Sequence, residues 1–216
     1  MRVFHSTNGK IQGGQLEAAV GTATEAAKLL SPHGAEIRFF STLAAGEDVN
    51  GTLFSQEYES NEAMAAAFDA LADDAELQAF LSRLAGPDSP TMITAQSMGM
   101  EMPLGRTPKA GRGSILEVHT SHINPGRAGD AVTEAAEICA FVEDNGAVNA
   151  RCIQLTYAGM ASGLIALTWE HENMVAQARV GAAWLSDAGT ALQTRSMSAT
   201  PATTRVMSAL YNEIPL

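Results

Sequence analysis

The chain has 216 residues, enough for one large domain or two small ones that would bury roughly 70% of the unfolded surface. Hydrophobic residues make up 46% and charged residues 17%, a globular balance that excludes a disordered chain. The net charge of -11 excludes the clustered cationic surface that nucleic acid or an anionic membrane demands, so neither is an expected partner.

In chain order, Val3 to Thr7 is short and β-rich, and Gln15 to Leu30 then turns helical, with Leu16, Val20, Ala23, Ala27 and Leu30 at three- and four-residue steps that predict one apolar stripe facing a sheet. Gly34 stands where that helix would end, because glycine takes the left-handed C-cap without a Cβ clash. Ile37 to Leu43 and Thr52 to Tyr58 predict two strands joined like a hairpin. A helix from Glu62 carries Met64, Phe68 and Leu71 on one face, breaks at Asp73-Asp74 and restarts. Asp73 and Glu76 have the spacing of a capping box for that restart. Thr91 to Met102 supplies a last strand closed by Pro103.

The same order then recurs. After Gly105 to Ser114, which has no apolar periodicity and predicts a flexible linker, Leu116 to His122 is β-rich and Ala128 to Val142 helical. Gly146 stands at the helix end, Arg151 to Tyr157 and Leu164 to Trp169 are strands, a helical stretch breaks at Ser186-Asp187, and Arg205 to Ile214 closes at Pro215. Glu-Met-Pro-Leu at 101–104 returns as Glu-Ile-Pro-Leu at 213–216. His5-Ser6-Thr7 matches His119-Thr120-Ser121, Arg38 matches Arg151, and Tyr58-Glu59 matches Trp169-Glu170. Matches in one order at a nearly constant offset predict an internal repeat. The fold class expected is therefore α+β: a tandem duplication of a ferredoxin-like β-α-β-β-α-β unit, repeat 1 over 1–104, linker 105–114 and repeat 2 over 115–216. The helices of each unit cover one sheet face, so the bare antiparallel sheets are expected to pack against each other as an intramolecular pseudo-dimer, with further homodimerisation built on its outside.

Tyr58-Glu59-Ser60, the helix through Ala63 to Leu71 and the restart Asp74-Ala75-Glu76-Leu77-Gln78-Ala79-Phe80 resemble the dimeric α/β-barrel superfamily, in particular its NIPSNAP-like and antibiotic-biosynthesis-monooxygenase-like branches. Trp169-Glu170-His171 keeps the aromatic-acid pair in the second copy, whereas Ala188-Gly189-Thr190 departs from the restart. The resemblance implies a barrel of two ferredoxin-like units completed here within one chain. It also implies a functionally mixed background: cofactor-independent monooxygenases, haem-using enzymes, small-acid decarboxylases or dehydratases, and members without an assigned reaction. No haem-ligand or monooxygenase motif matches residue by residue, so the resemblance carries over no catalytic position, and fold alone does not choose a reaction.

Strand alternation nominates the site. If apolar Phe4, Leu116 and Val118 meet the helices, then Val3, His5 and Thr7, and Glu117, His119 and Ser121, line the barrel interior. His5 and His119 would then be related by a pseudo-twofold, and Glu117 could orient His119 as a general base. The competing reading is that such histidines are satisfied core residues inherited with the repeat. Tyr211, opposite Gly99 across the repeats, would bring a phenol to one side of the cavity, or serve as core. His122 is the counterpart of Asn8, His33 and His171 fall near loops, and all three are expected in solvent. Met92, Met98, Met100 and Met102 form a stripe expected to fill core. Cys139 and Cys152 form no Cys-x-x-Cys pair and are expected reduced and buried. No metal and no cofactor is expected: two histidines and a carboxylate lack a helical ligand spacing, and Gly9 to Gly14 lacks the pattern of a nucleotide loop. The opening Met1-Arg2-Val3-Phe4-His5 lacks an apolar leader and no window has the length of a membrane span, so the cytoplasm is the expected address. Three functions stay open: binding of an apolar or aromatic small molecule between the sheets, a cofactor-independent monooxygenase or related lyase using His119, Glu117 and His5, and an interaction or assembly module.

Overall fold

The computed structural model describes residues 1–46 and 49–216. Its first half runs β1 (Val3–Ile11), α1 (Leu16–Leu30), β2 (Glu36–Ala44), β3 (Gly51–Tyr58), α2 (Asn61–Ala72), α3 (Ala75–Leu84) and β4 (Thr91–Glu101). The second runs β5 (Ile115–Ile123), α4 (Ala128–Asp144), β6 (Val148–Tyr157), β7 (Ile165–His171), α5 (Met174–Ala183), α6 (Asp187–Ser196) and β8 (Thr203–Ile214). The chain is thus α+β, with eight strands and six α-helices among the described residues.

Local chemistry explains the element ends. The helix break in the first half is closed by Asp74, whose Oδ1 accepts from Leu77 N at 2.9 Å. Asp73, the residue that the capping-box spacing pointed to, is the C-cap of α2 instead. Ser186 Oγ caps α6 through Gly189 N at 3.2 Å, and the side chains of Ser60 and Asn173 cap α2 and α5; each satisfies a donor that the first helical turn leaves open. Gly34 and Gly146 both take positive φ, 87° and 107°, just past a helix end.

All strand pairs are antiparallel, and the order β1-β3-β2-β8-β5-β7-β6-β4 closes on itself as a barrel. The two groups of strands were expected to pack face against face. They join edge to edge instead: β2 pairs with β8 from Phe39↔Ile214 to Ala44↔Leu210, and β4 pairs with β6 from Met98↔Tyr157 to Glu101↔Ile153. Pairing these four edges satisfies backbone groups that stacked sheets would leave open.

The direction of the strand faces is the reverse of the expectation from alternation. Phe4, Ser6 and Asn8 of β1 and Leu116, Val118 and Thr120 of β5 point into the barrel. Val3 packs in a cluster with Met64 and Ala67 of α2, and His5 lies edge-on to Phe68 at 5.5 Å, so these residues face the helix layer. His119 lies against Trp169 at 4.8 Å, and Trp169 belongs to the cluster of Ala135, Ile138 and Val142 from α4. A closed barrel wrapped by helices buries both faces of its strands, so apolar alternation shows that there are two faces and not which one is inside.

The linker is not free. Lys109 N donates to Glu143 Oε1 at 2.8 Å, Asn149 N to Lys109 O at 2.9 Å and Gly113 N to Glu170 Oε2 at 2.8 Å. Arg106 also pairs with Glu143. Residues 105–114 therefore form a strap along the second half. At Gly113 the approach is so close that a Cβ would stand 2.2 Å from His171 O.

Candidate functional site

Two internal spaces flank the barrel wall. The barrel interior holds a cavity of about 340 Å³ with Phe4, Phe40 and Val118 among its apolar walls. Its charged groups pair with carboxylates. Arg38 Nη1 donates to Glu170 Oε1 at 2.6 Å and its Nη2 to Glu213 Oε2 at 2.7 Å, while Arg151 Nη1 donates to Glu57 Oε1 at 2.7 Å. Glu170, 2% exposed, also accepts from Asn149 Nδ2 and Gly113 N. Burial alone would lower the Arg38 pKa, but its bonds to Glu213 and Glu170 outweigh that and raise it. Tyr211 lines this cavity and is 5% exposed. Its rung partner on β5 is Leu116, as Gly99 is the partner of Phe4 on β1.

The second space, about 430 Å³, lies between β1 and β3 and the helices α1 to α3. Phe39, Phe54, Phe68 and Phe80 supply aromatic walls, and among the described residues His5 is the only titratable side chain in the lining. The sequence explains why the space exists. On α1 the buried positions are Ala19, Ala23 and Ala26, not the Leu16 stripe expected; Leu16 is 51% exposed. Three alanines cannot fill the distance from helix to sheet. On α4 the buried set includes Ile138, Cys139 and Val142, and there Trp169, 1% exposed, closes the gap.

Ladder position sharpens this contrast. From Val3↔Tyr58 the third rung is His5↔Gln56, and from Ile115↔His171 the third rung is Glu117↔Trp169. His5 therefore stands where Glu117 stands in the other half, and His119 stands where Thr7 stands. The expected pseudo-twofold relation between the two histidines does not hold, because matching by residue identity slid by one side-chain pair relative to the hydrogen-bond ladder.

Around His5 the geometry is specific. Tyr58 Oη donates to Gln56 Oε1 at 3.0 Å, and Gln56 Nε2 lies 2.7 Å from His5 Nδ1. Burial lowers the His5 pKa, with the Gln56 bond opposing it, and burial raises that of Tyr58. Imidazole and phenol are both neutral near pH 7.

The structure does bring His119 and Glu117 together, Nε2 to Oε1 at 2.7 Å, and adds a residue expected in solvent: His171, 0% exposed, whose Nε2 lies 3.0 Å from Glu117 Oε2. Burial pushes the Glu117 carboxyl up, but the two imidazole bonds prevail and bring it down to about 2. His119 Nδ1 is held by Ser208 Oγ at 2.7 Å. Both nitrogens of His119 are thus occupied within the protein, and neither His119 nor Glu117 lines either space. His119 is therefore turned to Ser208 and Glu117 and not to a ligand in either space, so neither space offers it a substrate proton. Among the described residues no group of three or more His, Cys, Asp or Glu could hold a metal ion. Cys139 and Cys152 are buried, and burial pushes both thiols up to about 12.

Sequence reasoning missed Gln56 and Tyr58 as partners of His5, and it matched Arg38 with Arg151 without a role. The available signal for Gln56 was a polar residue two before Tyr58, on the same face of an otherwise packed strand.

No family model and no curated protein matches this chain. Solved structures match its whole length at low identity. A protein of Lactobacillus acidophilus assigned as a monooxygenase superposes with a TM-score of 0.63 at 9% identity, covering 100% of this chain and 99% of its own. An anthrone oxidase-like protein gives 0.59 at 12% identity, with 99% and 92% covered. Chlorite dismutase from Candidatus Nitrospira defluvii gives 0.57 at 10% identity, with 99% and 91% covered. The chain shares the fold of these proteins. No helix among the described residues is long and apolar enough to cross a membrane.

Proposed function

We propose that this chain binds a small apolar or aromatic molecule in the space between sheet and helices of its first half. The observation that carries the reading is the asymmetry at the third rung: His5↔Gln56 borders an aromatic-walled space of about 430 Å³, whereas Glu117↔Trp169 fills the same place in the second half. A pocket of this size, mostly apolar and with His5 oriented by Gln56, suits a compact organic ligand. The barrel interior is the weaker site, because its charged groups are spent on one another. In this reading the halves are copies of one ferredoxin-like unit, 1–104 and 115–216, which complete within one chain a barrel of the kind that two subunits can build. The first copy keeps the site and the second is given over to packing.

The test is binding of the neutral fluorophore N-phenyl-1-naphthylamine, followed by its emission. Ala23→Leu, which projects into the proposed pocket, is expected to weaken binding at least tenfold, and Ser6→Leu, which projects into the barrel, to leave it within twofold. The opposite pattern would move the ligand into the barrel, and no binding to the wild-type chain would end the proposal.

A second reading, cofactor-independent oxygenation of such a ligand, is favoured by the fold shared with the monooxygenase-assigned and anthrone oxidase-like proteins. Its test is oxygen uptake with anthrone in the presence of a chelator. Uptake equal to that of buffer alone would leave the binding function without this reaction.

A further inference from the structure

We infer that Tyr58 and Gln56 fix His5 as a hydrogen-bond donor into the pocket, so that the ligand is a neutral molecule presenting an acceptor oxygen to His5 Nε2. This rests on the first-half pocket being the ligand site.

The argument starts at the buried end of the relay. Tyr58 is 1% exposed, and Gln56 Oε1 at 3.0 Å is the one hydrogen-bond partner of its hydroxyl among the described residues. Were the Gln56 amide turned the other way, the phenolic proton would face an N–H group and be left buried without an acceptor. The hydroxyl therefore donates to Oε1, which directs the amide N–H at His5 Nδ1, 2.7 Å away. An N–H aimed at Nδ1 requires a lone pair there. A neutral imidazole with its lone pair on Nδ1 carries its proton on Nε2. That nitrogen has no partner among the described residues and is not among the buried unsatisfied atoms, so it is open on the pocket side of the ring.

The remaining wall narrows the ligand further. Among the described residues no Asp, Glu, Lys or Arg lines this pocket, so a carboxylate or ammonium would lose its hydration without a counter-charge from them. A carbonyl or ether oxygen on an apolar ring system meets the His5 donor at no such cost. Gln56 and Tyr58 act through His5 and are positioning residues. In this state His5 cannot accept a proton, so its role is to hold, and in a reaction to stabilise, an oxygen that gains negative charge.

Two measurements test this. In long-range ¹H–¹⁵N spectra of the wild-type chain at pH 7, with His5 signals identified by their loss in His5→Phe, Nδ1 is expected to be of the unprotonated type and Nε2 of the protonated type. Gln56→Glu, whose carboxylate accepts from Nδ1–H, is expected to protonate Nδ1. A wild-type His5 with its proton on Nδ1 overturns the inference. In the second measurement the isosteric probes 9-fluorenone and fluorene are titrated into the wild-type chain. One added hydrogen bond of about 1.4 kcal/mol predicts roughly tenfold tighter binding of the ketone. Equal affinities overturn the acceptor requirement while leaving the pocket as a binding site; absence of binding by both overturns the proposed function together with this inference.

Discussion

Arg38 of β2 reaches Glu170 of β7 at 2.6 Å, and Arg151 of β6 reaches Glu57 of β3 at 2.7 Å. Each guanidinium lies in one half of the chain and its carboxylate in the other. The two arginines also hold matching ladder positions, opposite Ser55 and Thr168. Crossed pairs of this kind tie the halves at both seams of the barrel.

Arg38→Met strands Glu170, whose side chain is 3% exposed, with only neutral donors. Breaking such a pair is expected to cost about 3–5 kcal/mol in urea denaturation. The double change Arg38→Met with Glu170→Met should recover more than half of that, since it leaves no uncompensated charge. By contrast Arg83→Ala, at a pair exposed on both sides, should stay within about 1 kcal/mol of wild type.

Ala23 and Ala135 are both buried mid-helix residues facing the sheet. Ala23→Leu has the pocket to enter and is expected to change stability by less than about 1 kcal/mol, whereas Ala135→Leu meets the packed cluster around Trp169 and should cost about 1–3 kcal/mol. Equal costs in thermal or urea unfolding would mean that the first-half space is not there in solution.

Glu117 supplies a pH dependence with a definite sign. Its folded-state value of about 2 lies below the ordinary value of roughly 4.3, so its contribution is complete above about pH 4.3 and is lost as the pH falls towards 2. The loss should be on the order of 3 kcal/mol. Glu117→Gln removes the titration, and its stability should therefore converge on that of wild type between pH 5 and 2. Parallel profiles for the two proteins would show that the carboxylate is not held by His119 and His171.

Gly113 makes the strap testable. A Cβ there would lie 2.2 Å from a backbone oxygen of His171, whereas at Gly13 it would meet nothing within 4 Å. Gly113→Ala is expected to destabilise by about 3 kcal/mol, at the upper end of overpacking penalties, with Gly13→Ala close to neutral. A neutral Gly113→Ala would restore the picture of a free linker.

Element order and element ends were legible in the sequence because they depend on neighbours along the chain. The helical periods of α1 and α4, the break at Ser186-Asp187 and the glycines at 34 and 146 act within a turn or two, and so residues a few positions apart contain the information. The matched Arg38 and Arg151 were likewise visible as a pair. What the pair does was not, since each arginine meets a carboxylate more than ninety residues away, Glu170 and Glu57 respectively.

The candidate site was decided by tertiary structure alone. Alternation separates His5 from Phe4, but helices cover the outside of the barrel and apolar side chains line part of its inside, so both faces carry apolar residues and the pattern carries no sign. The edge pairings β2 with β8 and β4 with β6 chose which face became the interior. Register then placed Gln56 beside His5 and Trp169 beside Glu117, and the small side chains of Ala19, Ala23 and Ala26 left open the space that Ile138 and Trp169 close on the other side. A void is a difference between the volumes of residues brought together from distant segments; no stretch of sequence contains it until the fold sets those residues face to face.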